Sequence, residues 1–391
     1  MKKLALALTL ACLLGPASTR AQNAYITNQS SNTVSVIDTA TDTVIATIPV
    51  GLNPFGVAVS PDGSKVYVTN ISSNTVSVID TATNAVIATI PVGLPPPPPP
   101  FCGPVCDMAV AVSPDGSKVY VTNTFSNSNT VSVIDTATNM VSATIPIGAS
   151  LGVAVTPDGS KVYVANADLG TVSVIDTATN TVGATIPVGL RAFGVAVTPD
   201  GSKVYVTNTF GFPAPVSVID TATNTIIART GDPLQGGSFG VAVSPDGSKV
   251  YVANGFGNTV SVIDTATNTV TATIFVRGFT SIGVAVTPDG SKVYVANLAS
   301  NTVSVIDTAA NAVGPAIAVG NGPVAFGVFI QPPRAGQPPP SFAGVAGSAN
   351  CHGTSVSALA TKFGGLDAAA AALGFSNVQG LQDAIRAFCG G

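Results

Sequence analysis

FGVAVSPDGSKVYVTNISSNTVSVIDTATNAVIATIPVG, residues 55–93, holds four short runs of alternating apolar residues: GVAVS, KVYVTN, TVSVID and VIATIPV. Period-two alternation in runs rich in Val, Ile, Thr and Tyr predicts β-strands. Pro61-Asp62-Gly63-Ser64 separates the first run from the second, and Thr81-Ala82-Thr83-Asn84 the third from the fourth. Both are tight-turn chemistry: Gly63 supplies a positive φ, and Asp62, Asp80 and Asn84 can bond nearby backbone donors. The unit is a four-stranded antiparallel meander, and the chain is built from copies of it.

The aspartate ending the VID motif recurs as Asp38, Asp80, Asp135, Asp176, Asp220, Asp264 and Asp307. The spacings are 42, 55, 41, 44, 44 and 43, so one interval carries an insertion. The PDGSK turn recurs only six times, with Lys65, Lys118, Lys161, Lys203, Lys249 and Lys292. The mismatch arises because the N-terminal copy starts at Ala24-Tyr25-Ile26-Thr27-Asn28, where the others have VYVTN, and so lacks a first strand. Phe326-Gly327-Val328-Phe329-Ile330-Gln331-Pro332 supplies that strand at the far end. An open solenoid has no use for such sharing, whereas a ring closed by it leaves no free edge. The prediction is an all-β fold, a seven-bladed β-propeller whose first blade combines three N-terminal strands with one C-terminal strand. Runs of five to seven residues also fall short of the roughly 9–11 that a transmembrane barrel strand needs.

VYVTN at 66–70, 119–123 and 204–208, with VYVAN at 162–166, 250–254 and 293–297, resembles the YVTN β-propeller repeat family over about residues 24–332. The resemblance implies the propeller fold and an extracytoplasmic setting in a bacterium or archaeon. It implies no particular activity.

Charged residues make up only 9% of the 391, every one of the 19 acidic residues is Asp, and there is one His and no Trp. So little charge suits blades sandwiched between neighbours. Met1-Lys2-Lys3 followed by LALALTLACLLG reads as a secretory signal over residues 1–21, cut after Ala21. Cys12 invites a lipoprotein reading, but Thr9 stands where Leu is usual. Removing Lys2, Lys3 and Arg20 takes the formal net charge from -4 to about −7. Together with a pI near 4.8 and no basic stripe, this disfavours nucleic-acid binding.

Four cysteines remain in the mature chain, an even number for an exported protein. Cys102 and Cys106 sit in the insertion 95–107, after a run of prolines, and Cys351 and Cys389 bracket the C-terminal segment. The simplest pairing is two local disulfides, 102–106 and 351–389. The first pair also has a redox reading, since an exposed and strained disulfide is labile. Zinc would need a second Cys or His pair beside it, and none is present. Residues 333–343 form a Pro-rich linker, and 344–391 read as a small α-helical module in which Val378, Leu381, Ile385 and Phe388 fall at helical spacing. A bundle that small is marginal alone, which gives a disulfide from end to end a purpose.

A propeller has two faces. The PDGSK and DTATN turns share one and scarcely vary, as tight hairpins require. The loops of the other face diverge. They carry Asp168, Arg191, Asp232 and Arg277, with Phe125, Phe193, Phe210, Phe212, Phe239, Phe256 and Phe279. Divergence on a constant frame is the pattern of binding loops, and Arg191, Phe193, Phe210, Phe212, Asp232, Phe239, Phe256, Arg277 and Phe279 are the candidate binding residues. Drift of exposed loops, with the Phe side chains plugging gaps between blades, is the competing explanation. Catalysis finds little purchase. The only histidine, His352, lies in the C-terminal module, and the array's Asp residues are assigned to turns. At the innermost strand Ala58, Ala111, Ala154, Ala196, Ala242, Ala285 and Phe329 predict an apolar channel. No cofactor or metal site is expected.

The expectation is an exported, non-enzymatic binding or scaffold protein, periplasmic or at the cell surface, that engages a protein or glycan of the cell envelope through the divergent face. The alternatives are a propeller enzyme, lactonase-like or dehydrogenase-associated, with a site in the axial channel, and a structural component of the envelope.

Overall fold

The computed structural model of the protein describes residues 22–93, 108–124, 129–209, 216–231 and 237–332. Within them the chain forms seven antiparallel sheets, each built from consecutive strands, plus one short 3-10 turn at Ile71–Ser73. Blade II shows the pattern: Pro54–Val59, Lys65–Asn70, Thr75–Asp80 and Ala85–Pro91, from the axis outward. Blades III to VI repeat it, beginning at Val110–Val112, Ser150–Val155, Ala192–Val197 and Ser238–Val243. Blade VII begins at Ser281–Val286, and its outer strand is split into Ala312–Val313 and Ile317–Ala318. Pro315 lies between the two pieces, and a proline has no N–H to give to a ladder.

Blade I has three N-terminal strands, Asn23–Asn28, Thr33–Asp38 and Thr43–Pro49. Its innermost position is filled from the far end of the chain. Tyr25 N–H donates to the Phe329 carbonyl at 2.9 Å, Gln331 N–H to Asn23, and Val324 N–H to Thr27. Ala24 and Ile330 form an antiparallel bridge. The 3 + 1 closure expected from the repeat count is what the chain does.

The alternation sets which strands are buried. Second and third strands are buried along nearly their whole length on both faces, as in KVYVTN and TVSVID of blade II, while outer strands are largely exposed. The apolar cores lie between blades: Val57, Val59, Val66 and Val68 of blade II join Tyr25, Val34 and Val36 of blade I in one cluster. One tyrosine per blade (Tyr25, Tyr67, Tyr120, Tyr163, Tyr205, Tyr251, Tyr294) is fully buried in this way.

Around the axis the first strands approach backbone to backbone. A Cβ on Gly194 would stand 2.4 Å from the Phe239 carbonyl oxygen, and one on Gly240 2.3 Å from that of Ile282, so only glycine fits. Four threonines stitch this ring. Thr69 Oγ1 accepts from Gly56 N–H at 2.8 Å and donates to the Met108 carbonyl of the next blade at 2.5 Å. Thr27, Thr122 and Thr207 bridge their own and the following blade in the same way. Blades IV, VI and VII carry Ala165, Ala253 and Ala296 at that position.

The expected signal peptide, the insertion 95–107 with Cys102 and Cys106, the linker, and the helical module with His352, Cys351 and Cys389 lie outside the described residues. Among the described residues no helix is long and apolar enough to cross a membrane.

Candidate functional site

Each first strand begins at the divergent face with a large apolar side chain: Phe55, Met108, Leu151, Phe193, Phe239, Ile282 and Phe326. Seven blades aim these at one axis, and they close it. Phe193 packs edge-on against Phe239 and against Phe326, with ring centroids 5.1 Å apart in both pairs. Phe55 lies 5.5 Å from Phe326, and Phe239 continues to Phe256 at 5.6 Å. Edge-to-face rings at these separations add attraction beyond the area they bury. Phe193 is buried and Phe239 half-buried, so both serve an axial plug, with Phe256 at its exposed rim.

Beneath the plug lies an axial cavity of about 30 Å³, lined by Val110, Val153, Val195, Val241, Val284 and the backbone of neighbouring glycines. Ala58, Ala285 and Phe329 are not on its wall; they belong to the cores between blades. The expected row is displaced by one residue because the register of the first strand shifts, in blade II between Pro54 and Val57, and one step turns every side chain to the other face. The axis is apolar all the same.

Of the nine candidate binding residues, the structure brings Phe193, Phe239 and Phe256 into one continuous contact. Arg191 is half-buried with φ 52°, its N–H donating to Ala167. Arg277 is exposed, and Phe279 is exposed at 65%, held by its N–H donating to Ser300 Oγ at 2.7 Å. Phe210, Phe212 and Asp232 lie outside the described residues, as does Phe125. Leu52, Leu169 and Leu190, which the reading of aromatics and charges passed over, are more than half exposed in the loops of the same face. Apolar residues in loops between strands were the available signal.

The near-identical turns of the opposite face are braced within themselves and, at several interfaces, across to the next blade. Asp115 accepts from the Ser113 hydroxyl, the Ser117 N–H and the Ser117 hydroxyl, and these bonds hold its carboxyl at about 2. Asp158, Asp200 and Asp246 are lowered to about 2 by the matching Thr or Ser donors. The PDGSK lysines do more than solubilise the turns. Lys161 Nζ donates to the Thr221 carbonyl of the following blade at 2.8 Å and Lys203 Nζ to that of Thr265 at 2.6 Å. Tyr163 and Tyr205 reach Asn224 and Asn268 of the same turns. At the ring closure Lys292 Nζ meets the Thr39 carbonyl and Asp42 Oδ2, and the Tyr294 hydroxyl donates to Asp42 Oδ1. Burial, then the bond to Asp42, push the Tyr294 hydroxyl above its usual pKa.

Comparison with known proteins adds four findings. Residues 39–185 match the family described as Lactonase, 7-bladed beta-propeller. The chain is 64% identical to PE-PGRS family protein PE_PGRS18 of Mycobacterium tuberculosis (strain ATCC 25618 / H37Rv) over 39 residues, which are 10% of this chain and 8% of that protein. Among solved structures, Kuenenia stuttgartiensis hydrazine synthase is similar with a TM-score of 0.62 and 26% identity, covering 73% of this chain and 92% of that one. A protein of unknown function from Desulfotomaculum acetoxidans DSM 771 superposes with a TM-score of 0.65 at 20% identity over 78% of this chain and all of that one, a likeness of fold. The lactonase match corrects the expectation that the chain is not an enzyme: part of the array carries the pattern of a family named for an enzymatic activity.

Proposed function

We propose that the protein engages a protein or glycan of the cell envelope through its divergent face. The observation behind this reading is the distribution of exposed large apolar residues. Leu52, Leu169, Leu190, Phe256 and Phe279 lie in loops of that face, whereas the other exposed large apolar residues, Met140 and Phe275 among them, lie on the outer strands or at Val328, and none lies within a PDGSK or DTATN turn. Exposed apolar side chains gathered round a rigid centre are the usual composition of a contact surface. The signal-like N-terminus and the resemblance of VYVTN to the YVTN repeat family support an exported setting. The test is crosslinking capture from envelope extract, with a Leu190→Ser/Phe256→Ser/Phe279→Ser variant beside the parent chain. A partner taken by the parent and lost by a variant of equal Tm supports the reading; identical capture by both refutes it.

A second reading, a hydrolase of cyclic esters, is favoured by the lactonase match. The axial cavity has room for about a water molecule, so a reacting ester would have to be held elsewhere, on one of the two faces. Ring opening of a lactone panel, followed by pH-stat, tests it directly.

A further inference from the structure

Lysine and tyrosine stand two residues apart in every PDGSKVY copy, and three interfaces show what the pair grips. Between blades IV and V, and between V and VI, its acceptors are a turn carbonyl and an asparagine amide oxygen. Between VII and I the acceptor is a carboxylate: Asp42 receives Lys292 through one oxygen and Tyr294 through the other. At the other three such interfaces, Lys118 with Tyr120 (III and IV), Lys249 with Tyr251 (VI and VII) and Lys65 with Tyr67 (II and III), neither the lysine Nζ nor the tyrosine hydroxyl bonds a described residue. Of these, Lys65 and Tyr67 line a groove of about 380 Å³ together with Asp62, Ser64, Asp115 and Thr136.

We propose that this groove is a binding site for a small carboxylate-bearing ligand, gripped by Lys65 and Tyr67 as Lys292 and Tyr294 grip Asp42. Both groups present donors. Lysine has no acceptor, and burial pushes the Tyr67 hydroxyl up to about 12, so it carries its proton at neutral pH. Tyr67 is 1% exposed, and it is on the wall of the groove. Across the same interface Asn139 Oδ1, the counterpart of the Asn224 and Asn268 acceptors, is buried with no partner among the described residues, so the bond that Tyr163 and Tyr205 make is missing here. The volume falls at the small end of ligand pockets, which suits an amino-acid- or sugar-acid-sized molecule.

The nearby carboxylates do not veto an anion. Asp62 and Asp115 are engaged by their own turns, Asp62 accepting from Ser60 and Ser64 and Asp115 from Ser113 and Ser117. The ring closure carries Asp38 and Asp289 close enough to act on Tyr294, and it holds Asp42 regardless. The groove opens on the face of the invariant turns, opposite the divergent loops, so the site stands independently of the proposed partner surface.

Calorimetric titration of the full chain at low ionic strength provides the test. N-acetyl-aspartate N-methylamide is set beside its asparagine analogue, and D-galacturonate beside D-galactose. The expected result is binding of at least one acid, with its neutral counterpart weaker by about tenfold or more. The acid that binds tells a peptide side chain from a sugar acid. Lys65→Met and Tyr67→Phe should each weaken that acid severalfold without lowering Tm, whereas Lys203→Met, at a bonded interface, should lower Tm and leave binding alone. Equal affinity for acid and neutral analogue, binding indifferent to Lys65 and Tyr67, or no binding by either acid would overturn the proposal.

Discussion

Asp42 and Lys292 are 250 positions apart in the chain and 2.8 Å apart in the fold, the one ion pair among the described residues. Six of the seven DTATN-type turns have asparagine where Asp42 stands: Asn84, Asn139, Asn180, Asn224, Asn268 and Asn311. The exception falls at the interface where the last blade meets the first. There the three N-terminal strands of blade I are held to blade VII and the C-terminal strand by non-covalent contacts alone, and a charge supplements the hydrogen bonds used elsewhere. Substituting Asp42→Asn restores the common residue and keeps an acceptor for Tyr294. It should lower stability by about 1 kcal/mol or less, since the pair is partly exposed, and should flatten the salt dependence of Tm. An unchanged salt dependence would remove the ion pair from the closure.

The C-terminal strand is the other half of that closure. Deleting residues 324–332 takes from blade I its innermost strand and from blade II the bonds from Val57 N–H and Val59 N–H to the Phe326 and Val328 carbonyls. We expect a loss of several kcal/mol, a large share of the ~5–15 kcal/mol that keeps a domain folded. Thermal melting of the truncated chain checks it, and an unaltered Tm would contradict the shared blade.

Thr69→Val keeps the shape of the side chain and removes its hydroxyl. Gly56 N–H then loses its acceptor and the Met108 carbonyl its donor, both in a buried setting. Leaving such groups unpaired costs about 1–3 kcal/mol. Denaturant unfolding should show a lower midpoint at constant slope, and a midpoint equal to wild type would mean that backbone shifts replace the bonds.

Gly240→Ala places a methyl group 2.3 Å from the Ile282 carbonyl, where the inner strands of blades VI and VII meet. Backbone cannot step aside as a side chain can, so a destabilisation of about 1–3 kcal/mol is expected from overpacking. The exposed Gly183, whose Cβ would meet nothing closer than 3.9 Å, is the control, and its alanine variant should melt within about a degree of wild type.

Acid should loosen the turns of the invariant face. Asp115, Asp158, Asp200 and Asp246 titrate at about 2 when folded, against 3.8 for the unperturbed side chain. A depressed folded value means stability that is complete above the unfolded value and drains away as pH falls from about 4 towards 2. A variant with all four changed to Asn should lose less Tm over that interval than the parent. Parallel curves would show that the acid sensitivity resides elsewhere.

Much of this molecule was legible because its instructions are local and repeated. Alternation in KVYVTN and TVSVID marks strands, Gly63 and its counterparts mark turns, and the count of seven aspartates against six lysines reveals the shared blade. The proposed contact surface is legible in part. Phe193 and Phe239 were found as divergent apolar positions, but their place in an axial plug depends on seven first strands converging, which no single copy encodes. Asp42 was visible as the odd residue among seven turns, though nothing in the chain said that Lys292 would meet it.

The sequence by itself determined the strands and turns, which follow from backbone preferences within about forty residues, and the number of blades and the way the ring closes, which follow from counting the copies. Tertiary structure decided which blade each lysine and tyrosine reaches, which row of the first strand faces the axis, and why a groove opens between blades II and III. Those depend on how twisted sheets stack, and a shift of one residue in register reverses which side chains meet.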